Sequence, residues 1–303
     1  MSVIKVNNIT NRDGTSGPVI AGVTTVSSTS HFVVPTGHTG QRVGLAPDPY
    51  EEFLVLALPF NSESVFTDVS PKSKGEFSGR GSVGFAVTTL SLPAGQGGIT
   101  TTSVGIVTHS KYYGTSVGFN TTISGTQALQ NVNSSDYQFG GQDFTIEGWV
   151  YLRSFAAGNP SGDFAIIVKC STDNTWEIGW NLAVRNTNKF NWYGNGTLVG
   201  GGSSTYSQNS GFTYSTDVWY HLAWTRKNYV RYLFVDGVLD SSNTDLLNYQ
   251  PTSIISIGND ITSNWSISMN LQDLRIYRGV AKYSAVGIAT GTTVFTPPNQ
   301  IAI

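Results

Sequence analysis

Apolar and polar residues alternate along 144–152: Phe144, Ile146, Gly148, Val150 and Leu152 fall on one side, Thr145, Glu147, Trp149 and Tyr151 on the other. A period of two is that of a half-buried strand. Trp219–Arg226 repeats it, with Tyr220, Leu222 and Trp224 in phase. Phe53–Leu58 is a continuous apolar run, as expected of a buried strand. Val230–Val235 runs into Asp236-Gly237, a dipeptide that tolerates the positive φ angles of a tight hairpin, and Val238-Leu239 opens the return strand. Ile254–Ile257 and Leu271–Tyr277 add two more strands, while the best helical candidate is a single turn near Gly279–Ser284. Many strands without intervening helices predict an all-β sandwich or barrel. Asn195–Gly211 and Leu92–Thr102, rich in Gly, Ser, Thr or Asn, read as long loops, where binding residues tend to gather.

Residues 1–45 follow a different pattern. They hold no Trp or Tyr, and their short β-branched runs, Val3–Val6, Val19–Val26 and Phe32–Val34, are separated by turn signals. Ordering the backbone costs ~1–2 kcal/mol per residue, more than these runs offset alone. The expected organisation is an attachment or oligomerisation segment at 1–45 and a β-sandwich at 46–303, with a flexible leader as the alternative for the first part.

Composition narrows the function. Charged residues are 12% of the chain, roughly half the usual quarter, while 39% are hydrophobic, so the chain is not a disordered one. The net charge of −2 provides no basic field for phosphates, and nucleic acid is not an expected partner. No apolar run approaches the ~20 residues of a bilayer span, and no signal peptide opens the chain, so membrane insertion is not expected. The single Cys170 lies in the apolar run Phe164–Cys170 and is expected to be a buried hydrophobe, as suits a protein made in a reducing compartment.

Three segments in order, FTIEGWVYL (144–152), VWYHLAWTRKNYVRYLFVDGVLDSS (218–242) and ISIGNDITSNWSISMNLQDLRIYRGVAKYS (255–284), resemble the laminin-G-like branch of the concanavalin A-like lectin/glucanase superfamily. The resemblance covers roughly residues 48–298. It implies an antiparallel jelly-roll β-sandwich whose last strand, Leu271–Tyr277, lies beside its first, Leu54–Leu58. VNNITNRDGTSGP and SHFVVPTG, within residues 1–45, are similar to the leader found on virion proteins of tailed bacteriophages, especially those infecting marine cyanobacteria.

Glycosidic hydrolysis needs two carboxyl groups flanking the bond. The glucanases of this fold carry them in a Glu-x-Asp-x-x-Glu string, which is missing here: Glu147 and Glu177 each stand alone. No enzymatic activity is expected. No cofactor is expected, although relatives sometimes hold calcium on loop oxygens, and Gly258-Asn259-Asp260 and Asp240–Asp245 offer oxygens of that kind that are equally ordinary turn residues. The glycan-binding candidates are Trp265 with Asn264 and Asp260, in a polar loop, and Tyr206 and Tyr214 around the Gly/Ser stretch. An aromatic ring stacks on the C–H face of a sugar while neighbouring polar groups bind its hydroxyls; core packing is the alternative for each. Together these readings imply a phage virion structural or appendage protein (tail fibre, baseplate or neck appendage, or capsid decoration), assembled in the host cytoplasm and located in the virion. It would join other virion proteins through residues 1–45, as a homo-oligomer with a trimer the guess by analogy with phage fibres, and display a lectin-like domain to host-surface glycan. The alternative is a purely structural virion module that binds no sugar.

Overall fold

In the computed structural model the described residues are 48–60, 66–75, 77–80, 105–107, 109–112, 114–119, 128–131, 134–155, 164–171, 179–251, 254–259 and 267–298. All belong to the unit Leu45–Ile303; the segment 1–45 and the loop Leu92–Thr102 lie outside them. They form β1 (Leu54–Leu58), β2 (Ser78–Arg80), β3 (Gly105–Val107), β4 (Ser116–Phe119), β5 (Ala128–Asn131), β6 (Phe144–Phe155), β7 (Phe164–Ser171) and β8 (Gly179–Arg185). Then follow β9 (Lys189–Leu198), β10 (Ser203–Asn209), β11 (Trp219–Lys227), β12 (Val230–Val235), β13 (Val238–Thr244), β14 (Leu247–Asn248), β15 (Ile255–Ile257) and β16 (Ile267–Arg278). The helical content among the described residues is two single 3-10 turns, Glu51–Phe53 and Ser135–Tyr137. The chain at Gly279–Ser284 is not helical.

The strands make two antiparallel sheets. The first runs β13-β12-β11-β6-β16-β4-β3, with β1 also on β16; the second runs β10-β9-β8-β7-β15-β5-β2, with β14 on β9. The last strand does close on the first: Leu54 pairs with Tyr277, Leu56 with Ile276 and Leu58 with Leu274. The predicted alternation sets the inner face. Phe144, Ile146, Val150 and Leu152 of β6 and Tyr220, Leu222 and Trp224 of β11 enter the main core, where they meet Trp180 and Trp192 of the second sheet. At the β12–β13 hairpin Asp236 and Gly237 have φ of 50° and 79°, the left-handed values the sequence called for.

Two elements depart from the sequence pattern. Much of Asn195–Gly211 is not a loop: Ser203–Asn209 is β10, paired residue for residue with Asn191–Thr197. Its serines and threonine lack the apolar signature of a strand because β10 is an edge, with its outward side chains in solvent. The second departure is a bulge in β16. Gln272 pairs with Trp149 and Arg275 with Glu147, so three steps on β16 match two on β6, with Asp273 at φ 56° in between. The extra residue changes the phase of β16, which turns both Gln272 and Arg275 outward and keeps Leu271, Leu274 and Ile276 in the core. Gly148 lies beneath this bulge, where an added Cβ would be 3.4 Å from Leu274 Cα.

Candidate functional site

The outer side of the first sheet carries Thr145, Glu147, Trp149, Tyr151 and Arg153 of β6, in the phase that alternation assigns to solvent. Chain segments cover its two halves differently. Over one half lies the C-terminal arm, residues 279–298. Thr225 Oγ1 donates to Tyr283 O at 2.8 Å, and Lys282 N donates to Thr145 Oγ1 at 2.9 Å. Val294 N donates to Gly237 O at 2.8 Å. Ala223, Tyr232, Phe234, Leu239 and Ala285 form a second small core there with Tyr283 and Phe295, whose rings stack at 3.5 Å.

Beneath the arm is a buried polar cluster. Lys282 Nζ donates to Glu147 Oε1 at 2.6 Å and to Asp48 Oδ2 at 3.3 Å, and Tyr283 donates its hydroxyl to Glu147 Oε2 at 2.8 Å. Tyr277 donates to Asp48 Oδ2 at 2.5 Å, and Arg275 lies 3.2 Å from the same oxygen. Burial pushes the Glu147 carboxyl up, but Lys282, His221 and Arg275 outweigh it and hold the group well below its ordinary range. A general acid needs the opposite shift, so Glu147 is a pin for the arm rather than a proton donor. Glu177 lies outside the described residues.

The other half is built differently. Residues 109–112 cross it and are held by two amides of β16. Gln272 Oε1 accepts from Lys111 N at 3.1 Å and Tyr112 N at 2.9 Å, and Asn270 Nδ2 donates to His109 O at 3.0 Å and Ser116 Oγ at 3.1 Å. Arg153 Nη2 donates to Asn270 Oδ1 at 2.5 Å. On this frame sits a shelf of rings. His109 lies 4.2 Å from Tyr151 and is stacked on Trp219 at 5.7 Å, with Tyr151 and Trp219 5.5 Å apart. Beside it Tyr112 meets Trp149 edge-on at 5.6 Å, and Lys111 Nζ is 4.5 Å above the Trp149 ring. His109, Tyr112, Tyr151 and Trp219 are half-buried, and neighbouring Asp217 and Val218 are exposed.

Burial and the nearby Arg153 lower the His109 pKa below 6.5, so at neutral pH it is a neutral ring. The indole N–H groups of Trp149 and Trp219 have no acceptor among the described residues. Half-exposed rings fringed by Arg153, Lys111 and Asp217 make a surface that takes a flat amphipathic ligand, such as the C–H face of a sugar.

The residues nominated from the sequence fall elsewhere. Asp260, Asn264 and Trp265 are outside the described residues. Tyr206 is half-buried on β10 and packs inward against the main core, its ring 5.5 Å from the Arg231 guanidinium. Tyr214 is only 2% exposed; it packs 5.2 Å from Phe190 and donates its hydroxyl to Arg185 O at 3.2 Å. The two are not brought together: Tyr206 pairs with Gly194, while Tyr214 N donates to Asn188 O at the other end of β9. Of the calcium candidates, Asp240 accepts the amides of Gly211 and Phe212. Asp245 is buried, with its oxygens taken by Leu247 N and the Tyr249 hydroxyl. These carboxylates are committed within the chain and do not fit an ion, and among the described residues no three His, Cys, Asp or Glu cluster as metal ligands.

Comparison with known proteins bears on the fold. A laminin G family described as "Concanavalin A-like lectin/glucanases superfamily" matches residues 124–286. No curated protein matches the sequence. Among solved structures, the chain is similar to the binding domain of Paraclostridial Mosquitocidal Protein 1, at 17% identity and TM-score 0.53, over 77% of this chain and 50% of that one. It is also similar to the binding domain of Botulinum Neurotoxin DC in complex with SialylT, at 13% identity and TM-score 0.50, over 77% and 50%. The chain spans about half the length of these structures, and at such identities what they share with it is the fold. The match over more than half of its residues makes this chain a member of the concanavalin A-like lectin/glucanases superfamily.

Proposed function

We propose that this chain is a non-enzymatic glycan-binding module of a tailed-phage virion, displayed on an appendage or on the capsid to touch the host surface. The shelf of Tyr151, Trp219 and His109 carries the reading. Half-exposed rings side by side, fringed by charged side chains, offer a stacking surface for the C–H face of a sugar. The fold family supplies the lectin scaffold, and the likeness of the segments within residues 1–45 to virion leaders supports the location. In this reading residues 1–45 join the sandwich to other virion proteins and to further copies of the chain.

The test is binding of the purified chain to an array of bacterial and algal surface glycans, with Trp219→Ala and Tyr151→Ala alongside. The expected result is binding by the wild type, reduced about tenfold or more in each variant without loss of folding, since one stacked ring contributes on the order of 1–2 kcal/mol. Labelling the protein on intact particles then locates it. Absence of binding across the array would leave the alternative, a module that only packs against its virion neighbours. Release of reducing ends from any glycan would overturn the non-enzymatic assignment.

A further inference from the structure

We infer that the ring shelf selects an acidic sugar, with Lys111 as the residue that reads the acid. The inference rests on the shelf being the glycan site and names what that site takes. The observation is a fixed ammonium without a counter-charge. Gln272 Oε1 accepts both Lys111 N and Tyr112 N, so the backbone under this side chain is held to β16. Lys111 is half-buried, and its Nζ lies 4.5 Å above the Trp149 ring and 5.9 Å from the Tyr112 ring. Among the described residues no carboxylate pairs with it. The acids whose charge reaches neighbouring Tyr112 are engaged elsewhere. Asp236 accepts His221 N at 2.8 Å, and Asp273 is 3% exposed in the bulge of β16, where its charge meets Arg275. An indole face attracts a cation but offers no acceptor in the plane of a hydrogen bond, so the ammonium donors are left for solvent or a ligand.

Charge is also ordered along the shelf. Trp149 and Tyr151 are two residues apart on β6, a step of about 7 Å, and Lys111 and His109, which lie against them, are two apart on the crossing segment. Asp217, whose N donates to Leu152 O, stands beyond Tyr151 on the side away from Trp149, is exposed, and accepts the Tyr151 hydroxyl. Arg153, the other cation of the fringe, donates to Asn270 Oδ1 and faces Asp217, so these two charges offset each other. His109 is neutral, which leaves Lys111 as the net charge of the shelf. A pyranose stacked on Tyr151 then has an uncompensated ammonium beyond one rim and a carboxylate beyond the other. A negative group on the sugar is drawn to the Trp149 end, while Asp217 accepts hydroxyls at the opposite end. Lysine is a single point charge and not a fork, so its match is one carboxylate, as a uronic acid carries.

Titration of the full chain, followed by ligand-observed NMR, tests this with two matched pairs: methyl β-glucuronoside against methyl β-glucoside, and methyl β-galacturonoside against methyl β-galactoside. Within each pair a carboxylate replaces a hydroxymethyl group and nothing else changes. At low salt the acid of at least one pair should bind about tenfold tighter than its neutral partner, the range of one charge-assisted hydrogen bond. That ratio should shrink in about 0.5 M sodium chloride, since the ammonium is only half-buried. Lys111→Met keeps an apolar stem over Trp149 and removes the charge, and should bring the ratio close to one. Lys72→Met, at an exposed lysine outside the shelf, should leave the ratio as in the wild type. Equal binding of acid and neutral sugar would overturn the inference and leave the shelf a site for neutral glycan. A ratio undiminished in Lys111→Met, or lost equally in Lys72→Met, would overturn it as well. Binding of neither member of either pair counts against the shelf as a glycan site, and the inference falls with it.

Discussion

Lys282 Nζ lies 2.6 Å from Glu147 Oε1, and through this contact the C-terminal arm is pinned to a central strand of the first sheet. The same ammonium reaches Asp48 and the Tyr277 hydroxyl, so the start of the sandwich, its last strand and the arm meet at one buried point. Removing one partner of a buried pair leaves the other uncompensated, at a cost of about 3–5 kcal/mol. Lys282→Met is expected to lower stability by that order in urea titration; a loss below 1 kcal/mol, on the scale of an exposed pair, would show that the arm is held by its aromatic contacts alone.

Acid should release the same pin. The carboxyls of Glu147 and Asp48 are held below their ordinary values of 4.5 and 3.8: burial raises each, and Lys282 with the other donors more than offsets it. Groups with depressed folded pKa values contribute stability that is present above those ordinary values and is lost as pH falls towards the folded ones. The unfolding midpoint should therefore be flat in this respect from pH 7 to about 5 and fall below about 4.5. Glu147→Gln should be less stable at pH 7 and show a shallower acid decline. A variant with the same acid slope as the wild type would remove Glu147 from the explanation.

Gly194 is fixed by its neighbour. A Cβ there would lie 2.5 Å from Tyr249 Cε1 and from its hydroxyl oxygen, and Tyr249 is fully buried against Trp192 with its hydroxyl on Asp245. Gly194→Ala should destabilise the chain by about 1–3 kcal/mol through overpacking, seen as a lower urea midpoint at unchanged slope. Tolerance of alanine would mean that the Tyr249 ring has room to retreat.

Cys170 lies inside the main core, where burial pushes its thiol pKa up. Reaction requires the thiolate and access to it. A disulfide reagent at pH 8 should leave the folded chain unlabelled over hours and titrate one thiol at once in denaturant. Rapid labelling of the folded chain would show that β7 opens locally.

If residues 1–45 hold chains together, a chain beginning at 46 should keep its strand-rich circular dichroism and Tm but fall to monomer mass in light scattering. An unchanged oligomer would return that segment to the status of a leader.

Sequence by itself determined the sandwich. Alternation in Phe144–Leu152 and Trp219–Arg226, the Asp236-Gly237 turn and the closing Leu271–Tyr277 each reflect local chemistry repeated at a fixed period, and each reappears in the structure. Pattern failed where a residue's surroundings come from distant chain. β10 reads as a loop because only an edge position makes a Ser-rich strand stable. Alternation put Trp149 on the side away from the core residues of β6, but not the rings that meet it and Trp219 there: His109, Lys111 and Tyr112 come from a different part of the chain. Tertiary structure alone decided that Glu147 is an ion-paired pin. Charge pairing depends on which strands become neighbours, and here the bulge at Asp273 and the crossing of the arm set those neighbours.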